Sequence, residues 1–550
     1  LAYTQINDDN VTQIYNSSFK LCVQKNSSLI HFYYKGKCKR FENIDKNLTV
    51  LRNNGLGYLI KPPLQRKMYK KYKDHTFRDQ RFILALEHTL NQQYNQIQQL
   101  SRGQYFNKIP GMLNIGQKDE CTKSMQLQEK FEQEKMISAK RIYAKTYLPE
   151  QFDEFENQFD PDKFYIAKPI SGYGGFGIIV SNNKTLLKQP NHIIQEYADD
   201  VLLYKKHKFD LRLYVLITSI DPLIAYLHYP GFLRLAKSVY QKPTAENSKN
   251  NHIHLTNLHQ GGPANKVYKT DDMYDGVVNL DQFLKDVDSN QELFNFAKNV
   301  TSQELQANLV ELVERILVAT YPEVLKEAQS TNYNLHRWPK QLFQVMGVDA
   351  YFDTNGNANF YEINRGVNLH YKKQTMFTHT RKATVDALNL FGIRWYKDQE
   401  GNVINPMYGE SHPNIPDNTV EEKYSMTLEQ LLKGKLSAKK LTEIEKNCFK
   451  QIKEEGGRLG GYTRLRFENH LDSFRDTSYL TRLLYQKLLL KQTKQQKRTL
   501  RRIQRETIKI QENEVKQQER AKVEKSFKEQ IKSAFSKFLA ILSKVYEIWS

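Results

Sequence analysis

The stretch from Gln341 to Tyr371, QLFQVMGVDAYFDTNGNANFYEINRGVNLHY, constrains the fold more than any other part of the chain. Leu342, Phe343, Val345 and Val348 lead into Asp353-Thr354-Asn355-Gly356-Asn357, and Phe360, Tyr361 and Ile363 lead out. An apolar run, a turn-forming cluster and a second apolar run predict two antiparallel strands on a tight turn. Glu362 and Asn364 are two apart and so share a strand face, and the turn brings Asp349 beside them. Three oxygen donors at one end of a hairpin suit Mg²⁺ when phosphates complete its shell, and the stretch lacks the soft ligands that zinc prefers.

A second signal lies upstream in KFYIAKPISGYGGFGIIV, residues 163–180. An apolar strand from Phe164 to Ala167 runs into Lys168-Pro169, then a loop carrying Gly172, Gly174, Gly175 and Gly177, then a strand from Ile178 to Val180. Glycines let backbone N–H groups approach phosphate oxygens, and Lys168 supplies positive charge. The loop returns into a strand, which argues against the P-loop and Rossmann patterns, both of which open a helix.

Other segments add candidates to the same chemistry. Lys118, after the turn at Phe106–Met112, is a candidate phosphate ligand. HIIQEY, residues 192–197, predicts a strand whose exit at Gln195, Glu196 and Tyr197 offers backbone groups to adenine. In KFDLRLY the alternation sets Lys208, Asp210, Arg212 and Tyr214 on one face, read as the floor of a site, with Phe209, Leu211 and Leu213 on the other. His252 and His254 are two apart without further ligands, a poor basis for a metal site.

The rest is read as scaffold. Residues 1–45 form an irregular extension with short β-like pieces, and Phe77 to Leu100 shows a helical apolar stripe. Leu223 to His228 reads as a strand that turns at Tyr229-Pro230-Gly231 into a second strand from Phe232. Residues 279–328 read as helices with plain core packing, and Thr427 to Lys453 as another helix. Beyond Gly461 no Gly or Pro occurs, which predicts long helices to the end. Cys22, Cys38, Cys121 and Cys448 are far apart with no zinc spacing, so reduced thiols in a cytosolic protein are expected. No apolar run is long enough to span a membrane, and the start at Leu1 reads as a fragment.

Taken in order, NKIPGMLNIGQKD, TYLPEQFDEF, KPISGYGGFGI, IIQEY, KFDLRLYVLITS, GFLRLA, HLTN and GVDAYFDTNGNANFYEIN resemble the tubulin tyrosine ligase-like family over roughly residues 105 to 395. The resemblance is closest to the glutamylase-type members. It implies an α/β (α+β) ATP-grasp core with an N-terminal lobe and an all-helical C-terminal extension. The expected division is 1–45 extension, 46–145 N-terminal lobe, 146–205 central lobe with the flap, 206–400 C-terminal lobe, 401–461 linker and helix, and 462–550 basic helical extension. It also implies ATP and Mg²⁺ as cofactors, with Lys118, Lys168 and Lys208 on nucleotide phosphates. Asp210, Arg212, Arg234 and Asn257 would line the substrate or acyl-phosphate site, and Asp349, Glu362 and Asn364 would hold magnesium. The chain departs from the family pattern at Lys108, at Gln117 beside Lys118, and at Arg365 to His370, where the incoming amino acid is expected.

The implied reaction is ATP-dependent addition of glutamate to glutamate side chains of tubulin tails through an acyl phosphate. An amine attacks that phosphate while Arg212 and Arg234 stabilise the oxyanion. The formal charge of +21 demands an anionic partner, and the run from Lys487 to Arg505 has eight cations and no acid. Together they point to microtubules bound through acidic tails and a basic helix, with further complex subunits as additional partners. Cytoplasm and cytoskeleton, with cilium or basal body, are the implied locations. The alternatives are a glycylase of the same family and a catalytically silent microtubule-associated protein; a nucleic-acid binder ranks below them because it leaves the acidic hairpin unexplained.

Overall fold

The computed structural model describes residues 104–256, 276–367, 374–393 and 441–496 almost throughout. It adds short strands earlier in the chain and a few helical positions near 430 and beyond 498. The turn that Asn53-Asn54-Gly55 predicts and most of the final helix lie outside the described residues.

The N-terminal β-like pieces form a three-stranded antiparallel sheet of β1 (Phe19–Gln24), β2 (Ile30–Tyr34) and β3 (Phe41–Asn43), in the order β2-β1-β3. β4 (Ile83–Ala85) pairs in parallel with β5 (Gln104–Phe106). The helix expected over 77–100 is therefore corrected at 83–85: a helical apolar stripe there is overridden by pairing with a distant strand. Helix α1 (Lys118–Glu134) follows the Pro110-Gly111 turn.

The flap lobe is a four-stranded sheet of β6 (Thr146–Tyr147), β7 (Tyr165–Pro169), β8 (Ile179–Ser181) and β9 (His192–Glu196), ordered β6-β9-β7-β8. Helix α2 (Phe152–Gln158) packs on it, and Phe155 meets Tyr147 and Tyr165 edge-on in a small buried cluster. That cluster gives the flap strands a base of their own.

The main sheet is built on β11. A short β10 (Leu203–Tyr204) precedes β11 (His207–Ile220), which lies between β12 (Leu223–Leu235) and the hairpin's first strand. β13 (Val277–Asn279) edges β12, while β14 (Gln344–Phe352) and β15 (Ala358–Asn364) form the predicted hairpin. The order is β13-β12-β11-β14-β15. β14 is buried along its whole length, which explains its near-continuous apolar sequence. The hairpin turn is organised by Asp353, whose Oδ1 accepts from the backbone N–H groups of Asn355 and Asn357.

The turn expected at Tyr229-Pro230-Gly231 is absent. β12 runs straight through it, and the register against β11 slips between Arg212 and Tyr214, so Tyr229 to Gly231 form a bulge. Proline and glycine signal a bulge as readily as a turn, and sequence cannot separate the two.

Helices α3 (Leu280–Ser289) and α4 (Ser302–Ser330) cover the sheet. α4 opens with a capping box between Thr301 and Glu304, and it buries Leu309, Leu312, Ile316 and Leu317 as the spacing predicts. α5 (Gln374–Phe391) and α6 (Glu443–Gly456) follow. The all-helical extension is corrected at its start: β16 (Tyr462–Arg464) adds to the main sheet beside β12, and regular helix resumes only at 479. The chain divides into two compact units, Leu1–Tyr485 and Gln486–Ser550. Among the described residues, no helix is long and apolar enough to cross a membrane.

Candidate active site

Strand register builds the floor of the site. Asp210 on β11 pairs with Arg234 on β12, and Arg212 on β11 pairs with Asp349 on β14, which in turn faces Glu362 on β15. Four strands thus bring two arginines and three carboxylates together on one face. Arg234 grips Asp210 with two hydrogen bonds of 2.7 Å each and reaches Asp349 Oδ2 at 2.8 Å. Arg212 grips the same Asp349 through Nε and Nη2, the latter at 2.9 Å. Thr256 donates to Asp210 at 2.6 Å. Asp210, Arg212, Arg234 and Asp349 are all buried.

Buried charges persist only when paired, and this row is. Burial disfavours the Asp349 carboxylate, but Arg212 and Arg234 outweigh it and hold its acidity well below the usual carboxylate range. Two glycines make room for Arg212. A Cβ on Gly347 would stand 3.0 Å from Arg212 Cδ, and one on Gly231 would stand 2.3 Å from the Arg212 carbonyl oxygen.

Above the floor lies a solvent-open cleft of about 920 Å³. Its lining includes Lys118, Lys168, Gly172, Gly175, Gln195, Glu196, Tyr197, Lys208, Asp210, Arg234, Asp349 and Glu362. These residues are drawn from the flap lobe, the main sheet and α1, so chain segments far apart in sequence face one space. Gly174, Gly175 and Gly177 adopt positive φ in the flap loop, a conformation glycine takes without strain.

The lysines show what the cleft is made for. Lys168 donates to the Gln195 amide oxygen at 2.7 Å, and Lys208 to the Tyr197 hydroxyl at 2.9 Å; both acceptors are neutral. Burial pulls Lys168 down to about 8, with Glu362 opposing. Burial and the neighbouring Lys168 pull Lys208 down to about 7. Lys118 lies 3.5 Å from Glu362 at the rim. Two buried amines that share a cavity with a third suit a polyanion and little else.

The metal-ligand expectation is tested by Asn364, whose amide nitrogen sits 3.1 Å from Asp349 Oδ2 and 3.5 Å from Glu362 Oε1. The two carboxylates therefore face a common point now filled by an N–H donor. Turning that amide over would present its oxygen instead, giving three hard donors, a set that fits Mg²⁺.

Not every expected residue lines the cleft. Arg212, Asn364 and Gly177 stand outside the lining, although Arg212 and Asn364 touch Asp349 directly. Asn257 lies outside the described residues. The backbone readout expected at Glu196 and Tyr197 is corrected for their N–H groups, which already bond Lys145 and Phe164 carbonyls.

Sequence reading missed Tyr361, whose ring lies 5.4 Å from Lys168 Nζ, and Thr256, and it weighed His254 only as a metal ligand; the last two neighbour the Asn257 it singled out. The HLTN stretch was the available signal for the last two. His254 meets Tyr197 and Asn247, and no cluster of three His, Cys, Asp or Glu side chains suited to a metal occurs among the described residues.

A sequence model of the tubulin-tyrosine ligase family matches residues 95–399, which contain the flap, the floor and the hairpin. The chain belongs to the tubulin-tyrosine ligase family. Its mixed architecture is the ATP-grasp-like arrangement of that family. Human tubulin polyglutamylase TTLL7 is 26% identical over 396 residues, which cover 68% of this chain and 42% of that protein. The probable beta-tubulin polyglutamylase of Tetrahymena thermophila is 25% identical over 395 residues, covering 67% of this chain and 30% of its own length. Tubulin polyglutamylase ttll6 of Danio rerio is 26% identical over 281 residues, 49% of this chain and 33% of its own. This tubulin-tyrosine ligase family chain thus spans less than half the length of these relatives.

Proposed function

We propose that the chain is an ATP- and Mg²⁺-dependent ligase that adds glutamate to glutamate side chains of tubulin tails. One observation carries the reading: Lys118, Lys168 and Lys208 share a cleft with the Asp210–Arg234–Asp349 row beneath a glycine flap. The names of the relatives supply the substrate.

A carboxylate is a poor electrophile and must be activated before an amine can displace one of its oxygens. Transfer of the γ-phosphoryl group of ATP to a tail glutamate makes an acyl phosphate, and the amine of the incoming glutamate then expels phosphate. The three lysines hold the polyphosphate and offset its charge as it moves. Asp349, Glu362 and Asn364 would hold Mg²⁺, which supplies further charge neutralisation at the phosphates when bound. Arg234 lines the cleft, and its guanidinium is oriented by Asp210 toward the developing oxyanion. Arg212 acts at the same centre through its grip on Asp349.

The acidic tails of tubulin complement a chain of formal charge +21. In the second unit Lys491, Lys494 and Arg498 are exposed on helical backbone and would dock the microtubule surface. Work on the cytoskeleton, at the cilium or basal body, follows from this reading.

The test is incubation of the purified chain with ATP, Mg²⁺ and microtubules plus labelled glutamate or glycine, followed by mass spectrometry of tail peptides. Glutamate added to tail glutamates is the expected product. Glycine alone would make the chain a glycylase, and incorporation of neither, with no nucleotide bound, would leave a silent microtubule-associated protein.

A further inference from the structure

Three side chains on the cleft wall form hydrogen bonds whose direction is set from the outer end. His254 Nε2 lies 3.2 Å from the Asn247 carbonyl oxygen and 3.1 Å from Asn247 Oδ1. Oδ1 is marked as an oxygen because it also accepts from the Thr244 N–H at 2.8 Å. Both contacts are acceptors, so Nε2 carries the ring proton and Nδ1 is bare. Nδ1 stands 2.8 Å from the Tyr197 hydroxyl, which must therefore donate to it. With its one proton so engaged, Tyr197 can only accept from Lys208, whose Nζ is 2.9 Å away.

We propose that His254 is a positioning residue for polyphosphate binding. By holding the Tyr197 proton it keeps that oxygen an acceptor toward Lys208, which favours the ammonium over the neutral amine. The proposal rests on the nucleotide reading of the cleft.

The charged and titratable surroundings of Lys208 are few. Lys168 on the flap repels it, Asp199 and Asp210 attract it, and the Tyr197 and Tyr240 rings lie 4.1 and 5.8 Å from Nζ. Burial opposes its charge most, so the direction of one hydrogen bond carries weight. Burial and Lys208 itself draw His254 down to about 4, which keeps its ring a neutral acceptor near neutral pH. Were the acceptor at 254 removed, the Tyr197 hydroxyl would be released to turn toward the lone pair of a neutral Lys208, with the neighbouring Tyr240 hydroxyl as the one competing acceptor among the described residues.

The test measures affinity for a non-hydrolysable ATP analogue with Mg²⁺ from about pH 5 to about pH 9. Comparison at equal pH cancels titration of the ligand, and Lys168, pulled down less far than Lys208, contributes a separate break at higher pH. Affinity falls above a break that reports Lys208. In His254→Phe the break is expected to move down by roughly one pH unit, the size of one hydrogen bond changing sides. His254→Asn places an amide oxygen where Nδ1 stands and is expected to restore the break. In a Tyr197→Phe background, which lowers the break by itself, His254→Phe should add no further shift.

An unmoved break in His254→Phe overturns the proposal while leaving the nucleotide site intact. So does a His254→Phe shift that persists without the Tyr197 hydroxyl. Absence of binding by the unmutated chain at every pH overturns the nucleotide reading and this proposal together. Should His254→Phe not fold, the Asn and Tyr197→Phe variants still decide: a lowered break in His254→Asn, or an unmoved one in Tyr197→Phe, overturns it.

Discussion

Asp349 is the residue on which the floor balances, since it answers two guanidiniums while 2% exposed. Asp349→Asn keeps the shape but leaves Arg212 and Arg234 without their shared anion. Breaking a buried pair from one side costs about 3–5 kcal/mol. Denaturant unfolding is expected to show a loss of that order, and ligase activity should vanish; a variant of unchanged stability would mean that water already screens the row. Lys168 and Lys208 make the opposite case, cations held without a carboxylate grip. Their folded values lie below the ordinary lysine value, so between about pH 7 and pH 10 the unfolded chain binds more protons than the folded one. Stability from these groups accordingly rises with pH across that window, and their penalty is full below it. A bound polyphosphate reverses the balance and recharges them. Calorimetry of nucleotide binding at about pH 8, in buffers of different ionisation enthalpy, should therefore show net proton uptake; release or no exchange would refute the uncompensated state of these lysines.

At the scale of elements, the bulge in β12 and the bare backbone of β14 let Arg212 lie within the sheet. Gly347→Ala would put a methyl 3.0 Å from Arg212 Cδ, tight enough that the arginine must shift. Overpacking of this kind costs about 1–3 kcal/mol. The expected result is a modest fall in melting temperature with a much larger fall in activity, because Arg212 orients Asp349; equal, small losses in both would make Gly347 a packing residue only. The hairpin was legible because its signals are local: period-two spacing put Glu362 and Asn364 together, and Asp353 with Gly356 made the turn. The flap was legible for the same reason, with its glycines between two apolar runs. The Arg212–Asp349 and Arg234–Asp349 contacts join residues 137 and 115 apart, and no local pattern encodes such a register. The strand at 83–85 and the strand at 462–464 were misread alike, as each exists only through pairing with a partner elsewhere.

For the whole molecule, the family match ends at residue 399 while the first compact unit runs to Tyr485. The segment 441–485 explains the difference. Glu455 on α6 accepts from the Thr218 and Tyr226 hydroxyls at 3.1 and 2.7 Å. Thr481 and Tyr485 satisfy the backbone N–H and C=O of Leu223 at 2.9 and 2.6 Å. Arg475 reaches Glu323 and the Ala319 carbonyl on α4. A chain ending at 440 would expose the buried tip of β11 and β12 to water, at about 1.5–3 kcal/mol per large apolar side chain, and lose these hydrogen bonds at about 0.5–1.5 kcal/mol each. Against a total stability of about 5–15 kcal/mol, that loss removes the folded state. A chain ending at 485 keeps every one of these contacts. It should melt cooperatively and bind nucleotide, yet lose cosedimentation with microtubules, because the exposed cations beyond Gln486 are gone. Soluble, nucleotide-binding protein from the chain ending at 440 would show that 441–485 decorates the catalytic body instead of completing it.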